Sequence, residues 1–130
     1  MQEAPHYDDV VAEVRDFFRQ SFIRAVSCGL DPMCIAFDPG IGFGKSVAHN
    51  LSLLKHLAEL RVGERPLVLG VSRKSFLGKV LGTDSPAGRD AATATLSALM
   101  RERGANILRV HDVSPNLESL RLAGAVLEAF

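Results

Sequence analysis

Val10, Val14, Phe17, Phe18, Ser21 and Ala25 recur at three- and four-residue intervals, the period of a helix that turns one face to a core. Asp8 and Asp9 suit the positive N-terminal end of that helix, and Gly29 is placed to stop it. The pattern then changes. MCIAF, 33–37, is too short for a helix and has no polar alternation, so it predicts a strand covered on both faces. Val47, Leu51, Leu54 and Ala58 return to the helical period and close near Gly63. PLVLGV, 66–71, predicts a second buried strand, and residues 74–81 a short helix. GTDSPAG is a loop, Ala92, Leu96 and Leu99 mark a helix ending at Gly104, and ILRV, 107–110, is the third strand. Ser114 and Pro115 look like an N-cap and first-turn pair that opens a last helix reaching about residue 128.

Strands separated by helical crossovers run parallel, which makes this an α/β chain. Three short parallel strands leave two unpaired edges, whose N–H and C=O groups invite pairing with something else. Roughly 250 residues is typical of an eight-stranded (β/α) barrel, and a chain of about half that length with three strands resembles the later part of one. No linker, repeat or low-complexity tract divides residues 1–130, so a single domain or part of one is expected.

Composition narrows the classes. Fifteen acidic side chains balance fifteen basic ones and 47% of residues are hydrophobic, which gives no electrostatic reason to seek nucleic acid or anionic lipid. No apolar run approaches the roughly 20 residues of a membrane span, and MQEAPHYDD has neither the basic nor the apolar region of a signal peptide, so a cytoplasmic protein is expected. Cys28 and Cys34 form no C-x-x-C pair, have no histidine at zinc spacing, and read as buried small apolar groups.

The chemistry is concentrated in DPGIGFGKS, 38–46, directly after the first predicted strand. It mimics a P-loop, but G-x-x-x-x-G-K-S needs its first glycine at Pro39, and Gly40 comes one residue too late. The dinucleotide fingerprint fails as well, since Lys45 or Val47 falls where its third glycine belongs. Polar residues also follow the other strands. Ser72, Arg73, Lys74 and Ser75 follow the second, and Arg109, His111 and Asp112 end or follow the third. An aspartate after a strand is commonly a turn cap and SRKS alone a solvated helix start. Their coincidence at one end of three parallel strands points instead to the ligand-binding rim of an α/β protein. Charges of both signs there suit a substrate with an anionic part and a polar heterocycle.

DPGIGFGKSVAHN, GVSRKSFLG and RVHDV, in this order and spacing, resemble the last three strand-end motifs of the dihydropteroate synthase family, which has a TIM-barrel fold. MQEAPHYDDVVAEV is similar to the helix that precedes them there, so the likeness covers essentially the whole chain. Two features depart from the family: its first half, about five of the eight barrel strands, has no counterpart here, and Ile41 stands where phenylalanine is frequent. The resemblance implies a C-terminal part of a pterin-binding TIM-barrel domain. It implies condensation of 6-hydroxymethyl-7,8-dihydropterin pyrophosphate with p-aminobenzoate to 7,8-dihydropteroate and pyrophosphate. It also brings in Mg2+, with its ligand outside this chain.

The same resemblance assigns roles. Asp38 would hydrogen-bond the pterin and favour a methylene cation, and Lys74 would bind the pterin edge and border the aminobenzoate site. Arg109 and His111 would hold the diphosphate, Arg109 also lying flat on the pterin. Phe43, with Gly42 beneath it, would wall the aminobenzoate ring, and the Ser75 backbone N–H would meet its carboxylate. Lys45 and Ser46 read as shaping and capping the loop, Asp112 as turning the chain, Arg89 and Asp90 as solvated. His49 and His56, seven apart, read as a polar flank rather than a metal pair, and His6 as part of a leader segment. Three readings follow: part of a dihydropteroate synthase, an inactive half-barrel that self-associates and holds pterin or aminobenzoate, or an unrelated phosphate-binding domain. The last is disfavoured by the P-loop miscount. Homo-oligomerisation is expected from the open strand edges.

Overall fold

The computed structural model describes residues 6–129. The opening MQEAP, which the family likeness and the signal-peptide reading both used, lies outside the described residues. Helix α1, Val10–Ser27, starts where Asp9 accepts the Val11 and Ala12 N–H groups, both at 3.0 Å. Then come α2, Val47–Lys55; β1, Val68–Leu69; α3, Ser75–Leu81; α4, Asp90–Glu102; β2, Ile107–Leu108; and α5, Val113–Leu127.

β1 and β2 pair in parallel with Val68 opposite Ile107 and Leu69 opposite Leu108, and Phe37 forms a single parallel bridge to Leu67. The architecture is thus α/β around a short parallel sheet, and the regular pairing is shorter than the sequence predicts. The expected first strand is replaced over Pro32–Cys34 by a 3₁₀ turn, because Asp31 accepts the Met33 N–H at 2.8 Å and Pro32 takes the first helical position. Met33 and Cys34 are therefore exposed rather than covered on both faces, and Cys28, at the C-cap of α1, is exposed too. The last helix opens two residues early, at Val113, with Asp112 rather than Ser114 at its N-cap; the Asn116 amide donates to the Asp112 carbonyl at 2.6 Å and draws the first turn back.

Register divides the sheet into two faces. Phe37, Leu67, Leu69 and, further on, Val71 are buried under the helices, with Leu53, Leu57 and Leu60 from the α2 segment fully enclosed beside them. Each such side chain contributes about 1.5–3 kcal/mol by leaving water. The alternate positions Ala36, Asp38, Val68, Gly70, Ile107 and Arg109 fall on the other face, which is open: Ile107 is 49% exposed. α1 packs through Val10, Val11, Val14 and Phe18, with Phe18 stacked on Phe37 at 4.7 Å, whereas Phe17 stays outside the core at 62% exposure. α4 lies along α5, and at their contact the Ser97 hydroxyl donates to Asn116 Oδ1 at 2.7 Å in a buried setting. α4 buries Thr93, Ala94, Ser97 and Met100. No helix among the described residues is long and apolar enough to cross a membrane.

Candidate active site

The loop after Phe37 is built from its own backbone. Asp38 accepts the Gly40 N–H at 2.8 Å, and Lys45 Nζ donates to the Gly40 and Phe43 carbonyls, each at 3.2 Å. Ser46 then caps α2 reciprocally with His49, as the capping reading of 45–46 anticipates. Asn50, which sequence reasoning missed, is 1% exposed; its Oδ1 accepts the Gly42 N–H at 2.8 Å and its amide donates to the Ser46 carbonyl at 2.8 Å. An asparagine one turn inside a helix cap, among buried neighbours, is the signal that was available.

This pinning leaves Phe43 half-exposed on the loop's outer side, where the Lys74 ammonium sits 3.7 Å from its ring centroid. Gly42 has φ of +82°, and a Cβ there would lie 2.9 Å from Lys74 Cδ, so Gly42 makes room for the lysine stem. Burial first, and the Arg109 charge second, hold the Lys74 ammonium below the usual lysine value, with Asp38 opposing both. Lys45 is lowered by burial against the pull of Asp38.

The turn after β1 is strained and braced. Arg73 has φ of +57°, the one non-glycine residue in that region among those described. Its guanidinium donates twice to Asp90, at 2.8 and 2.9 Å, Arg89 Nη1 donates to its carbonyl at 3.0 Å, and its own N–H reaches Thr93 Oγ1 at 3.4 Å. Arg89 and Asp90 are thus not solvated bystanders. They anchor the turn, and Arg73 holds the Asp90 carboxyl below its ordinary range.

At the third strand end, the Arg109 N–H donates to the Leu69 carbonyl at 2.8 Å, and its guanidinium lies across Gly70, whose absent Cβ would meet Nη2 at 2.9 Å. A glycine inside an otherwise apolar strand signals such a close approach. His111 rests on Ser72, with Nδ1 2.9 Å from Oγ. Gly70, Ser72, Lys74, Arg109, Val110 and His111 line a cleft of about 180 Å³. Lys74, Arg109 and His111 therefore converge, and Gly42 and Phe43 join them through Lys74. Asp38 acts on Lys74 through its charge but lines a neighbouring cavity of about 420 Å³ with Tyr7, Phe17 and Lys45. Ser75 is exposed in the first turn of α3 and does not line the cleft. His49 is spent on the α2 cap and His56 pairs with Glu59 at 2.7 Å.

Residues 1–111 match the family described as pterin binding enzyme. The chain belongs to that family. Among pterin-binding enzymes, it is 47% identical to the dihydropteroate synthase of Mycobacterium leprae over 98% of its own length and 46% of the relative's. It superimposes with a TM-score of 0.94 on the Xanthomonas albilineans dihydropteroate synthase in complex with 7,8-dihydropteroate, at 41% identity, covering 100% of this chain and 50% of that one. The same score and identity relate it to that enzyme with 4-aminobenzoic acid, covering 98% and 48% of the two chains. The chain spans about half the length of the curated relatives it matches.

Proposed function

We propose that this chain supplies the pterin-, diphosphate- and aminobenzoate-facing rim of a dihydropteroate synthase, on the last three strands of a (β/α) barrel. The observation that carries the reading is the convergence of Lys74, Arg109 and His111 in one cleft on the open side of the sheet, beside the Asp38 loop. The open face and the unpaired strand edges at residues 35–37 and at β2 support the barrel reading, since further strands would cover them.

In this reading the reaction breaks the bond between the pterin methylene carbon and the diphosphate oxygen, and the aniline nitrogen of p-aminobenzoate forms the new one. Negative charge grows on the leaving oxygen and positive charge on the methylene carbon. Arg109 and His111 meet the first with N–H donors, and Asp38, already oriented by the Gly40 N–H, favours the second. Arg109 lies flat across Gly70 and so presents a guanidinium face on which a pterin ring can stack. Lys74 moves between the Phe43 ring and the pterin edge, and Phe43 walls the aminobenzoate, whose carboxylate takes the Ser75 N–H. Magnesium, which the family likeness introduced, has no fitting site here: no three His, Cys, Asp or Glu side chains converge among the described residues.

The test compares Lys74→Ala with Lys45→Ala in a protein that carries this segment together with the remainder of the barrel, at saturating substrate. A group acting on charge that changes during reaction commonly contributes about 3 kcal/mol, about a hundredfold in rate. Lys74→Ala is expected to slow pyrophosphate release by that order and Lys45→Ala, which loosens the loop, much less. Equal small effects would remove the assignment. The 130 residues alone hold one side of the site and are expected to show no turnover. Their open strand edges favour self-association, expected as a dimer or larger by light scattering, and a fully folded monodisperse monomer would contradict it.

A further inference from the structure

Ser72 is 5% exposed, at the end of the second strand segment, and makes two contacts to one residue on the neighbouring strand end. Its Oγ accepts the His111 backbone N–H at 3.2 Å and lies 2.9 Å from the Nδ1 of the same residue. We propose that Ser72 is a positioning residue that fixes His111 as the Nε2–H tautomer, and so keeps a hydrogen-bond donor aimed at the diphosphate; this rests on the function proposed above.

The amide can only donate, so one lone pair of Ser72 Oγ is taken by the His111 N–H and the hydroxyl hydrogen remains to be placed. Ser72 is buried, and His111 Nδ1 is the acceptor in reach among the described residues. A buried hydroxyl left without an acceptor bears its desolvation uncompensated, which favours donation to Nδ1. Nδ1 is then an acceptor, and the neutral ring must carry its hydrogen on Nε2. That nitrogen has no protein partner among the described residues, on a side chain lining the cleft with Lys74 and Arg109. The ring therefore offers an anion a donor even when it is uncharged. The backbone contact adds orientation, because it ties the main chain and ring of His111 to the same oxygen.

The experiment uses the 130-residue chain with ¹⁵N-labelled histidine, His111 being assigned by loss of its signals in His111→Gln. Long-range ¹H–¹⁵N spectra at a pH where the ring is neutral should show Nε2 protonated and Nδ1 bare. In Ser72→Ala the hydrogen should distribute over both nitrogens. Inorganic pyrophosphate, titrated in millimolar steps, should bind this variant about tenfold more weakly, the loss expected for one charge-assisted hydrogen bond, and the unfolding midpoint should fall by a few degrees because the His111 N–H loses its acceptor. A wild-type ring protonated on Nδ1, or a ring spectrum that Ser72→Ala leaves alone, overturns the proposal. The wild-type spectrum alone suffices if Ser72→Ala does not fold. A locked wild-type ring with no pyrophosphate binding would instead overturn the diphosphate reading, and with it the role but not the tautomer.

Discussion

Replacing Gly42 by alanine tests the contact that joins the first loop to the second strand end. Gly42 and Gly44 both have positive φ, +82° and +55°, so alanine at either is strained by about 1 kcal/mol. Their surroundings differ. A Cβ at Gly44 meets nothing within 4 Å, whereas one at Gly42 lies 2.9 Å from Lys74 Cδ and 3.6 Å from its Cγ and Nζ. The lysine stem must swing away, which lifts the ammonium from the Phe43 ring and forfeits about 0.5–1 kcal/mol for a cation over an aromatic at an exposed site. Gly42→Ala should therefore cost about 2 kcal/mol and Gly44→Ala about 1 kcal/mol. In a chain of this size the difference separates their thermal midpoints by about 3 °C. Circular dichroism melts give the midpoints, and ¹³C-methylated lysine spectra report Lys74, whose titration should return toward its ordinary 10.5 as burial is relieved. The decisive arm is the cycle with Lys74→Ala: without the lysine, alanine at Gly42 should cost no more than alanine at Gly44. Equal losses in the intact background, or a Lys74→Ala background that leaves the difference standing, would show that Gly42 does not make room for Lys74.

Gly70→Ala should push the Arg109 guanidinium off the strand with little loss of stability, since the contacts at 2.9 to 3.5 Å are to the movable end of a side chain; pyrophosphate binding measured by titration should weaken while the melt stays put. Asp90 has a folded-state value below 3.8, because Arg73 donates to it, so the unfolded chain binds its proton first and the pair's stabilisation is present above that value. The contribution is lost as pH falls through the lowered value, and Asp90→Asn should melt earlier near neutrality and flatten the acid limb of midpoint against pH; an unchanged acid limb would show the clamp to be idle.

What could be read from the sequence was what short-range chemistry dictates. Asp8 and Asp9 before an apolar period mark the start of α1, and the crowding of Asp38, three glycines, Phe43, Lys45 and Ser46 marks a shaped loop whatever surrounds it. The strand-end polar groups were legible because short unbroken apolar runs and period-3.6 runs alternate around them. The rest depends on partners far along the chain. Nothing near Ser72 announces His111, and nothing near Arg73 announces Asp90, so Ser72 was placed on the rim without its partner and an anchoring carboxylate looked solvated. MCIAF misled for a different reason: apolar content suggested burial, but Asp31 and Pro32 impose a turn before the sheet begins. Phe17 fits the helical period and still lies outside the core, because a period describes a face and not what that face meets.

The hydrogen bonds around the second and third strand ends close into a circuit. From Arg73 it runs through Asp90 into α4, across Ser97 to Asn116 in α5, back through the Asp112 carbonyl to His111, and from His111 through Ser72 to Arg73 again. A chain of supports with a free end transmits a push and then gives way, but a closed one shares it along two routes. The spacing between Lys74 and Arg109 is therefore braced once directly and once the long way round, through α4 and α5. Cutting either route alone leaves the geometry tethered by the other. With both cut, only the backbone pairing of the strands still ties their ends, so a paired substitution at Ser72 and Asn116 should loosen them by more than its two halves together.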